Sequence, residues 1–341
     1  MTKVCICGGG SLGHVVAGYL GAKNNVSVSI LTRKPEKWQN KIELTLPDGG
    51  TITGKVEMVS GNAAEVIPQA EIIILCLPGY AIKPELEIIA KHVTPGTFVG
   101  SVFSSTGFFF EALKIFNEDV PLWGFQRVPF IARTKEYGKS ANLLGYKTAH
   151  NIAIENCKDK ETFRRVVEEL FDCPVRLMNN YYEVSFTNSN PILHPSRLYS
   201  LFCDWNSDVY YNRQFLFYEE WSIEASEYLI ALDRELFMVI DKLPVSKGFL
   251  TPILEHYEST DAQSLANKLR SIEGFKNIKA PMIETPKGWQ PNINDRYFRE
   301  DFIYGLRYIY EKAKELNIET PTIDKIYNWG LNLIKINNEN N

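Results

Sequence analysis

The chain has 341 residues, a length typical of two domains rather than of one or four. Hydrophobic residues make up 45% and charged residues 23%, and 22 Gly with 17 Pro are too few for a collagen-like or disordered chain. The formal net charge of −4 leaves no basic excess, so neither nucleic acid nor an anionic membrane surface is an expected partner.

The six cysteines are scattered, and none forms a CxxC pair. Buried thiols in a reducing compartment explain this spacing better than disulfides or a zinc site. The sequence enters a strand directly, without a signal-peptide core, and its longest apolar run, residues 98–116, is too polar to span a bilayer. We therefore expect a soluble cytoplasmic protein without a bound metal.

In chain order, the first half alternates short strands with helices. Apolar runs predict strands at residues 4–7, 26–31, 72–77, within 93–102 and at 175–178, and helices at 12–22 and 160–171. Residues 42–46 and 52–59 are predicted to form a hairpin around Pro47-Asp48-Gly49-Gly50. Strands and helices that alternate in this way are typical of a parallel sheet covered on both faces.

The second half changes character near residue 181, where apolar positions begin to follow helical spacing. One predicted helical face consists of Leu229, Leu232, Leu236, Val239 and Ile240. Further helices are predicted at residues 299–316 and 322–334, while 242–290 contains several Pro and Gly and is predicted to form shorter helices and loops. The Asn-rich tail, residues 337–341, is the one low-complexity segment of the sequence.

A glycine-rich loop, Gly8-Gly9-Gly10-Ser11-Leu12-Gly13, lies between the first strand and the first helix. Gly8 permits a tight turn, Gly10 lets the backbone approach a pyrophosphate, and Gly13 lets the helix pack against the sheet. The helix N-terminus adds free N–H groups and a partial positive charge. A glycine turn without a ligand is the alternative, but this position in a parallel-sheet pattern favours dinucleotide binding.

The loop and the element order together predict the fold class. We expect an α/β Rossmann domain at residues 1–180, with a parallel sheet and helices on both faces. An all-α domain is expected to follow at residues 181–341.

The end of the second strand bears on which cofactor binds. NAD sites usually carry an acidic residue there for the ribose 2′-hydroxyl, but this sequence reads Leu31-Thr32-Arg33-Lys34. A hydroxyl group and two cations suit a 2′-phosphate, so we predict NADPH, with NADH as the alternative. A solvated basic turn is the other interpretation of Thr32 and Arg33.

His194 is the histidine in the most unusual local context. Pro191 precedes it by three residues and Pro195 follows it directly, and both disfavour a regular helix. We expect a helix break that aims the imidazole into a cleft. A hydrogen-bonded structural histidine is equally compatible with the spacing.

Residues 294–305 form the second notable segment. Asn294 or Asp295 is expected to cap the following helix. Arg296 and Asp301 are five positions apart, about 140° on a helical wheel, so they are not expected to share a face. Arg296 should project from the entering turn, with Asp301 in the first turns of the helix. A surface ion-pair cluster is the alternative.

Taken together, these segments resemble the opine dehydrogenase family, the octopine and nopaline type. The matching parts are the glycine loop, Leu77-Pro78, and residues 126–133, 190–195, 217–220, 232–235, 296–301, 304–306 and 320–321. Members of the family couple an α-keto acid to the amino group of an amino acid and reduce the imine with NAD(P)H. Ser196, where members often have Gly, and the poorly matching segment 242–290 are departures, so the amine substrate stays open.

The resemblance implies roles for individual residues. His194 matches the catalytic histidine, Asp301 its carboxylate partner, Arg296 the arginine that holds a substrate carboxylate, and Asn190 an asparagine near the nicotinamide. An imidazole gives and takes protons near neutral pH, and a carboxylate on its second nitrogen fixes the tautomer. Because both substrates carry carboxylates, a second cation is expected, and Arg133 is a candidate that is equally explained by a structural salt bridge.

Two other functions remain open at this point. A hydroxy-acid or glycerol-phosphate-type dehydrogenase would use a lysine on a helix of the second domain, and no comparable lysine accompanies Asn190. A dinucleotide-binding sensor without catalysis would not need His194, Asp301 and Arg296. In each case the expected partners are small molecules, neither nucleic acid nor membrane, with a homodimer left open.

Overall fold

The computed structural model describes residues 1–339, with the side chains of residues 1–335. The chain divides into two compact units, and the division falls between Thr187 and Asn188, beyond the predicted 180/181. The extra residues stay with the first unit because Val184 is buried in its core and the Gln126 side chain donates to the Glu183 carbonyl (3.1 Å). The final two residues of the Asn-rich tail lie outside the described residues.

The first unit contains twelve strands and six helices of four or more residues among its described residues. The strands are β1 Thr2–Cys7, β2 Val26–Leu31, β3 Lys41–Thr45, β4 Thr51–Lys55, β5 Met58–Ser60, β6 Ile72–Leu75, β7 Phe98–Ser101, β8 Leu122–Phe125, β9 Phe130–Glu136, β10 Ser140–Tyr146, β11 His150–Glu155 and β12 Val175–Leu177. The helices are α1 Ser11–Gly21, α2 Ala63–Val66, α3 Gly79–Ile89, α4 Phe108–Ile115, α5 Lys160–Phe171 and α6 Tyr182–Ser185.

The main sheet has eight strands in the order β12-β11-β8-β7-β6-β1-β2-β5. All neighbours are parallel except β8 and β11, so the predicted parallel sheet is confirmed with one antiparallel pair. Strand β6 is buried along its whole length, as expected for a strand covered on both faces. Helices α1 and α5 contribute to the core on one face, and α2, α3 and α4 to the core on the other.

A second sheet, which the sequence did not predict, has the order β4-β3-β10-β9. The predicted hairpin is its antiparallel β3–β4 pair, but the second predicted strand, 52–59, is in fact two strands. Strand β4 ends at Lys55, and β5 pairs with β2 in the main sheet instead. Ile42, Leu44 and Phe130 of the second sheet are buried in the same core as α1.

The second unit is built mainly from helices. These are α7 Asn190–Phe202, α8 Ile223–Ile240, α9 Ile253–His256, α10 Ala262–Ser271, α11 Arg296–Asp301, α12 Arg307–Glu315 and α13 Pro321–Glu339. The predicted apolar face of α8 is buried or nearly so at all five positions. A short hairpin, β13 Met282–Thr285 with β14 Gly288–Pro291, corrects the all-α prediction, since residues 242–290 were expected to lack strands.

The predicted helix at 299–316 starts earlier and is interrupted. It begins at Arg296, and a π-helical turn, Phe302–Leu306, separates α11 from α12. Such turns widen a helix locally and are frequent at functional sites. A Cβ on Gly305 would lie 2.8 Å from Cγ of Pro191, so this glycine permits the close approach of the turn to α7. Among the described residues, no helix is long and apolar enough to cross a membrane.

Candidate active site

The glycine-rich loop joins the end of β1 to the start of α1. Gly8 has a φ of +120°, which side chains rarely adopt, and a Cβ there would lie 2.7 Å from the carbonyl oxygen of Cys76. A Cβ on Gly13 would overlap the carbonyl oxygen of Gly8, so the helix packs against the loop only without a side chain. Apart from Gly10 itself and its two neighbours in the chain, no atom of the described residues lies within 4 Å of a Cβ built on Gly10. The backbone at Gly10 is therefore open to the close approach of a ligand.

A cleft of about 520 Å³ extends from this loop along the carboxyl ends of β1, β2 and β6. The sequence predicts nine cofactor-binding residues: Gly8, Gly10, Ser11, Leu12, Gly13, Thr32, Arg33, Leu77 and Pro78. Six of them line the cleft, namely Gly8, Gly10, Thr32, Arg33, Leu77 and Pro78. Ser11, Leu12 and Gly13 are not among its lining residues. Ser11 Oγ accepts a hydrogen bond from the Thr134 N–H (3.0 Å), and Leu12 packs on the core, so these side chains hold the loop in place.

His14, which the sequence analysis did not assign to the site, fixes the same loop. Its Nδ1 donates to the carbonyl of Gly10 (2.9 Å), and its Nε2 accepts from the N–H of Gly138 (2.6 Å). The ring is fully buried and stacks on Trp38 with centroids 4.2 Å apart. Burial lowers the pKa of His14, and the hydrogen bond to Gly10 opposes this only in part. A neutral imidazole therefore links the loop to the β9–β10 turn.

The end of β2 presents cations to the cleft. Arg33 and Lys34 are exposed, whereas Thr32 is buried with its hydroxyl 3.5 Å from that of Tyr137. An acidic residue also lines the cleft, but it is Glu85 on α3 and not a residue of β2. Burial raises the pKa of Glu85, and the nearby positive charge of Arg33 counteracts the rise. Glu85 could not be found from spacing, because its position depends on how α3 packs.

In the second unit, α7 runs without a break through His194. This corrects the predicted helix break around Pro191 and Pro195. Pro191 lies in the first turn, where a backbone N–H has no partner within the helix. The missing N–H of Pro195 leaves only the carbonyl of Pro191 without its usual donor, and this carbonyl lies close to the helix start. The imidazole is thus positioned by a regular helix that tolerates both prolines.

His194 lies at the centre of a group of four side chains, which we call the histidine cluster: buried His194, Asp301 and Tyr218, and half-buried Tyr297. His194 Nδ1 is 2.7 Å from Oδ2 of Asp301, although the two residues are 107 positions apart. His194 Nε2 is 2.9 Å from the hydroxyl of Tyr218. The ring of Tyr297 stacks on the imidazole with centroids 4.1 Å apart and planes inclined by 22°. Only 3% of His194 and 9% of Asp301 is exposed to solvent.

Arg296 begins α11, and Asp295 caps that helix by accepting from the Tyr297 N–H (3.0 Å). Asp301 is the last residue of α11, so Arg296 and Asp301 lie at its opposite ends. Arg296 is exposed and lines a cavity of about 350 Å³ that Tyr297 also lines. Its guanidinium carbon lies 5.8 Å from the centroid of the Tyr297 ring. Arg296 therefore stands beside the histidine cluster, not within its hydrogen bonds.

A second cation, Lys279, lines the same cavity. It lies in the segment 242–290, where no functional residue was predicted. The predicted second cation, Arg133, belongs instead to β9 of the first unit, where it is exposed and donates weakly to the Ala132 carbonyl (3.4 Å). Asn190 is the first residue of α7, one helical turn before His194 and on the same side of the helix.

Comparisons with known proteins find matches for both units. Residues 177–334 match the family described as NAD/NADP octopine/nopaline dehydrogenase, alpha-helical domain, and residues 4–105 match ketopantoate reductase PanE/ApbA. The chain is 27% identical to tauropine dehydrogenase of Arabella iricolor over 98% of this chain and 92% of that protein. It is 24% identical to opine dehydrogenase of Haliotis discus hannai over 96% of this chain and 90% of that protein.

Solved structures extend the likeness to the whole fold. An octopine dehydrogenase with NADH and L-arginine is similar with a TM-score of 0.86 and 21% sequence identity, over 98% of this chain and 90% of that one. A yersinopine dehydrogenase with NADP⁺ is similar with a TM-score of 0.72 and 14% identity, over 98% and 91%. The chain is similar to opine dehydrogenases over nearly its whole length, and its residues 177–334 match the helical domain of that family.

The family model and these relatives are named as dehydrogenases of the opine type, which supports an NAD(P)-dependent oxidoreductase that acts on CH–NH donors. The predicted fold class, a Rossmann domain followed by a helical domain, is confirmed apart from the β13–β14 hairpin. The described part of the chain contains no group of three or more His, Cys, Asp or Glu side chains arranged to hold a metal ion.

Two residues of the histidine cluster were missed as members of the site. Tyr218 and Tyr297 both lay inside segments that carried the resemblance, but neither was given a function. Tyr297 could have been predicted from the sequence, because it directly follows Arg296, which was already assigned to the site. For Tyr218 the neighbouring aromatic residues favoured core packing, and burial of 96% of the residue is consistent with that reason.

Proposed function

We propose that this enzyme reductively condenses an α-keto acid with the amino group of an amino acid, with NADPH as the reductant and His194 as the general acid–base. The observation that carries the proposal is the buried hydrogen bond between His194 and Asp301, 2.7 Å long. A carboxylate on Nδ1 fixes the tautomer and stabilises the imidazolium when Nε2 takes a proton.

Arg296 is proposed to hold a substrate carboxylate in the cavity beside the cluster. Its planar guanidinium binds a carboxylate through two parallel hydrogen bonds, which fixes the orientation of the reacting carbon. Lys279, on the same cavity, is a candidate for the carboxylate of the second substrate. Asn190 is proposed to contact the substrate, since it lies on the His194 side of α7.

The cleft of the first unit suits a dinucleotide. The open backbone at Gly10 and the N-terminus of α1 suit its pyrophosphate, and Leu77 with Pro78 offers an apolar wall. The exposed cations at Arg33 and Lys34 support NADPH over NADH, because a 2′-phosphate adds negative charge at that end of the cleft. When bound, the dinucleotide supplies the hydride.

The remaining chemistry belongs to the chain. His194 takes a proton from the substrate ammonium group, so that the neutral amine attacks the keto carbon. In the adduct, a proton passes from the attacking nitrogen to the former keto oxygen, which becomes a hydroxyl group. The proton held by His194 then goes to this hydroxyl, which leaves as water as the C=N bond forms. Asp301 stabilises the charge on the imidazole between these two events. Such a group contributes about 10²–10⁴-fold to the rate.

The test is NADPH oxidation with a panel of α-keto acids, each with and without a panel of amino acids. The proposal predicts oxidation that requires both substrates and a product with a new C–N bond, identified by mass spectrometry. Oxidation that proceeds equally without the amine would contradict it and indicate a hydroxy-acid dehydrogenase. Tight dinucleotide binding without any turnover would indicate a sensor.

A cytoplasmic location and a homodimer stay predictions. The cytoplasmic location is supported by the cysteines, since all six are free thiols. Size-exclusion chromatography with light scattering would test the homodimer, and fractionation of the source cells would test the location.

A further inference from the structure

We propose that Tyr218 is a proton-relay residue, which carries the proton between His194 Nε2 and the reacting substrate. This inference rests on the proposed function of His194. It concerns how the proton leaves a buried imidazole whose two nitrogens are both occupied.

The hydrogen bonds leave one route out of the imidazole. Nδ1 is held by Asp301 at 2.7 Å and Nε2 by the Tyr218 hydroxyl at 2.9 Å. The stacked ring of Tyr297 covers one face of the imidazole, and Phe217 approaches it edge-on at 5.6 Å. With 3% of the residue exposed, His194 meets a substrate through the Tyr218 hydroxyl or after that hydroxyl is displaced.

Packing opposes displacement of Tyr218. Its ring stacks on Phe275 with centroids 4.1 Å apart, and it lies parallel to Trp221 at 6.0 Å. Its backbone segment is held by buried Arg197, which donates to the carbonyls of Phe217 (2.9 Å) and Glu220 (2.6 Å). A side chain fixed at both its ring and its backbone is suited to pass a proton on without moving.

The relay leads towards the cavity that Arg296 lines. Tyr297 stacks on the imidazole that Tyr218 contacts, lies close enough to raise the pKa of Tyr218, and lines the 350 Å³ cavity with Arg296 and Lys279. Burial raises the pKa of Tyr218, with the neighbouring Tyr297 adding to the rise, so the phenol stays protonated at neutral pH. It therefore exchanges protons in one concerted event and does not persist as a phenolate.

The step balances without a further reactant. As the C–O bond of the tetrahedral adduct breaks, the Tyr218 O–H donates its proton to the departing hydroxyl, which becomes water. The N–H at Nε2 of the imidazolium replaces that proton on Tyr218, and the nitrogen lone pair of the adduct forms the C=N bond. Tyr218 ends as it began, and His194 ends neutral.

The matched variants are Tyr218→Phe and Tyr199→Phe. Tyr199 lies on α7 with His194, is 8% exposed, and its hydroxyl interacts with Lys325 outside the cluster. We expect Tyr218→Phe to lower kcat for amine-dependent NADPH oxidation about 100-fold, with KM values and the NADPH Kd within about twofold of wild type. Tyr199→Phe should keep wild-type kcat. A Tyr218→Phe variant with kcat within about twofold of wild type, or an equal loss in both variants, would overturn the relay.

A proton inventory on the wild-type enzyme needs no variant. Two protons that move together make kcat curve downward as the fraction of D₂O rises, whereas one proton gives a straight line. A straight line, or no solvent isotope effect, would overturn the relay. Wild-type inactivity with every amine and keto acid pair would instead remove the proposed function itself, so the two failures are distinguishable.

Discussion

The glycine-rich loop draws its residues from six consecutive positions, whereas the histidine cluster draws four side chains from three separate parts of the second unit. The loop is local, and its geometry follows from a strand, a tight turn and a helix. The cluster depends on α7 and α11 packing so that positions 107 apart meet. The glycine-rich loop can therefore be derived from residue spacing alone, whereas the histidine cluster depends on tertiary packing.

The largest effect is expected in the cluster. His194→Ala and Asp301→Asn should each lower kcat about 10²–10⁴-fold, because each removes one half of the acid–base couple. The NADPH Kd, measured by fluorescence titration, should stay within about twofold of wild type, since dinucleotide binding is assigned to the loop. Loss of NADPH binding in either variant would contradict the assignment of dinucleotide binding to the loop and of acid–base chemistry to the cluster.

Matched controls come from the same unit. His256 on α9 and Asp241 after α8 are exposed, so His256→Ala and Asp241→Asn should retain wild-type kcat. A loss of activity in these controls comparable to that in the site variants would show that the effect is not specific to the cluster.

The next effect concerns Arg296. Replacement by Lys keeps the charge but loses the two-pronged geometry, so KM for the keto acid should rise about tenfold, and more for Arg296→Gln. The control is Arg234→Gln, because Arg234 is exposed on α8. Steady-state kinetics with varied keto acid measure the change. An unchanged KM in Arg296→Gln would remove Arg296 from the substrate site.

Local elements of the fold could be predicted from the sequence, whereas pairings between distant segments could not. The limits of α5 and β2 were predicted to the residue, because amphipathic and alternating patterns are local. The second sheet was not predicted, since β3 pairs with β10 nearly 100 positions away. The helix through His194 was also missed, because the cost of a proline depends on its distance from the helix start.

The residues of the site also differ in whether the sequence could identify them. Spacing alone identified the loop and found Arg33, but His194 and Asp301 were joined only through the resemblance to a family. Lys279 and Glu85 could not be identified from the sequence, because no sequence pattern shows which lysine or glutamate lines a cavity. Tyr218 was interpreted as core, and it is indeed buried, so burial and function are not exclusive.

A smaller effect is expected in the cleft, from opposing charges. Arg33→Glu should weaken NADPH binding about tenfold and leave NADH binding nearly unchanged. Glu85→Gln should strengthen NADPH binding about two- to threefold, since it removes an acidic group that lines the cleft proposed to hold the dinucleotide. Lys91→Gln, an exposed change just beyond α3, is the control. Equal NADPH and NADH affinities in the wild type would contradict the predicted preference.

The smallest expected effect is on stability, which should depend on pH in opposite ways for a buried group in each unit. Burial, assisted by the charge of Lys147, lowers the pKa of His150 in the first unit to about 4, so its contribution to stability is present above its unfolded pKa of about 6.5 and is lost as the pH falls towards 4. Burial raises the pKa of Asp233 in the second unit to about 6, so its contribution is present below about 3.8 and is lost as the pH rises through 6.

Thermal unfolding at pH 7 and pH 5 measures this difference. His150→Leu should reduce the loss of Tm on acidification, and Asp233→Asn should increase it, by a few degrees at most. His256→Ala is the control, because its imidazole is exposed. The same pH response in all variants would show that neither buried group contributes.

The central claim is that the histidine cluster faces the reacting carbon, and a crystal structure with NADP⁺ and an α-keto acid tests it most directly. The account predicts the keto oxygen within about 2.6–3.2 Å of the Tyr218 hydroxyl or His194 Nε2, with the keto acid carboxylate on Arg296. A keto acid bound elsewhere, with His194 and Asp301 still surrounded by packed side chains, would contradict it.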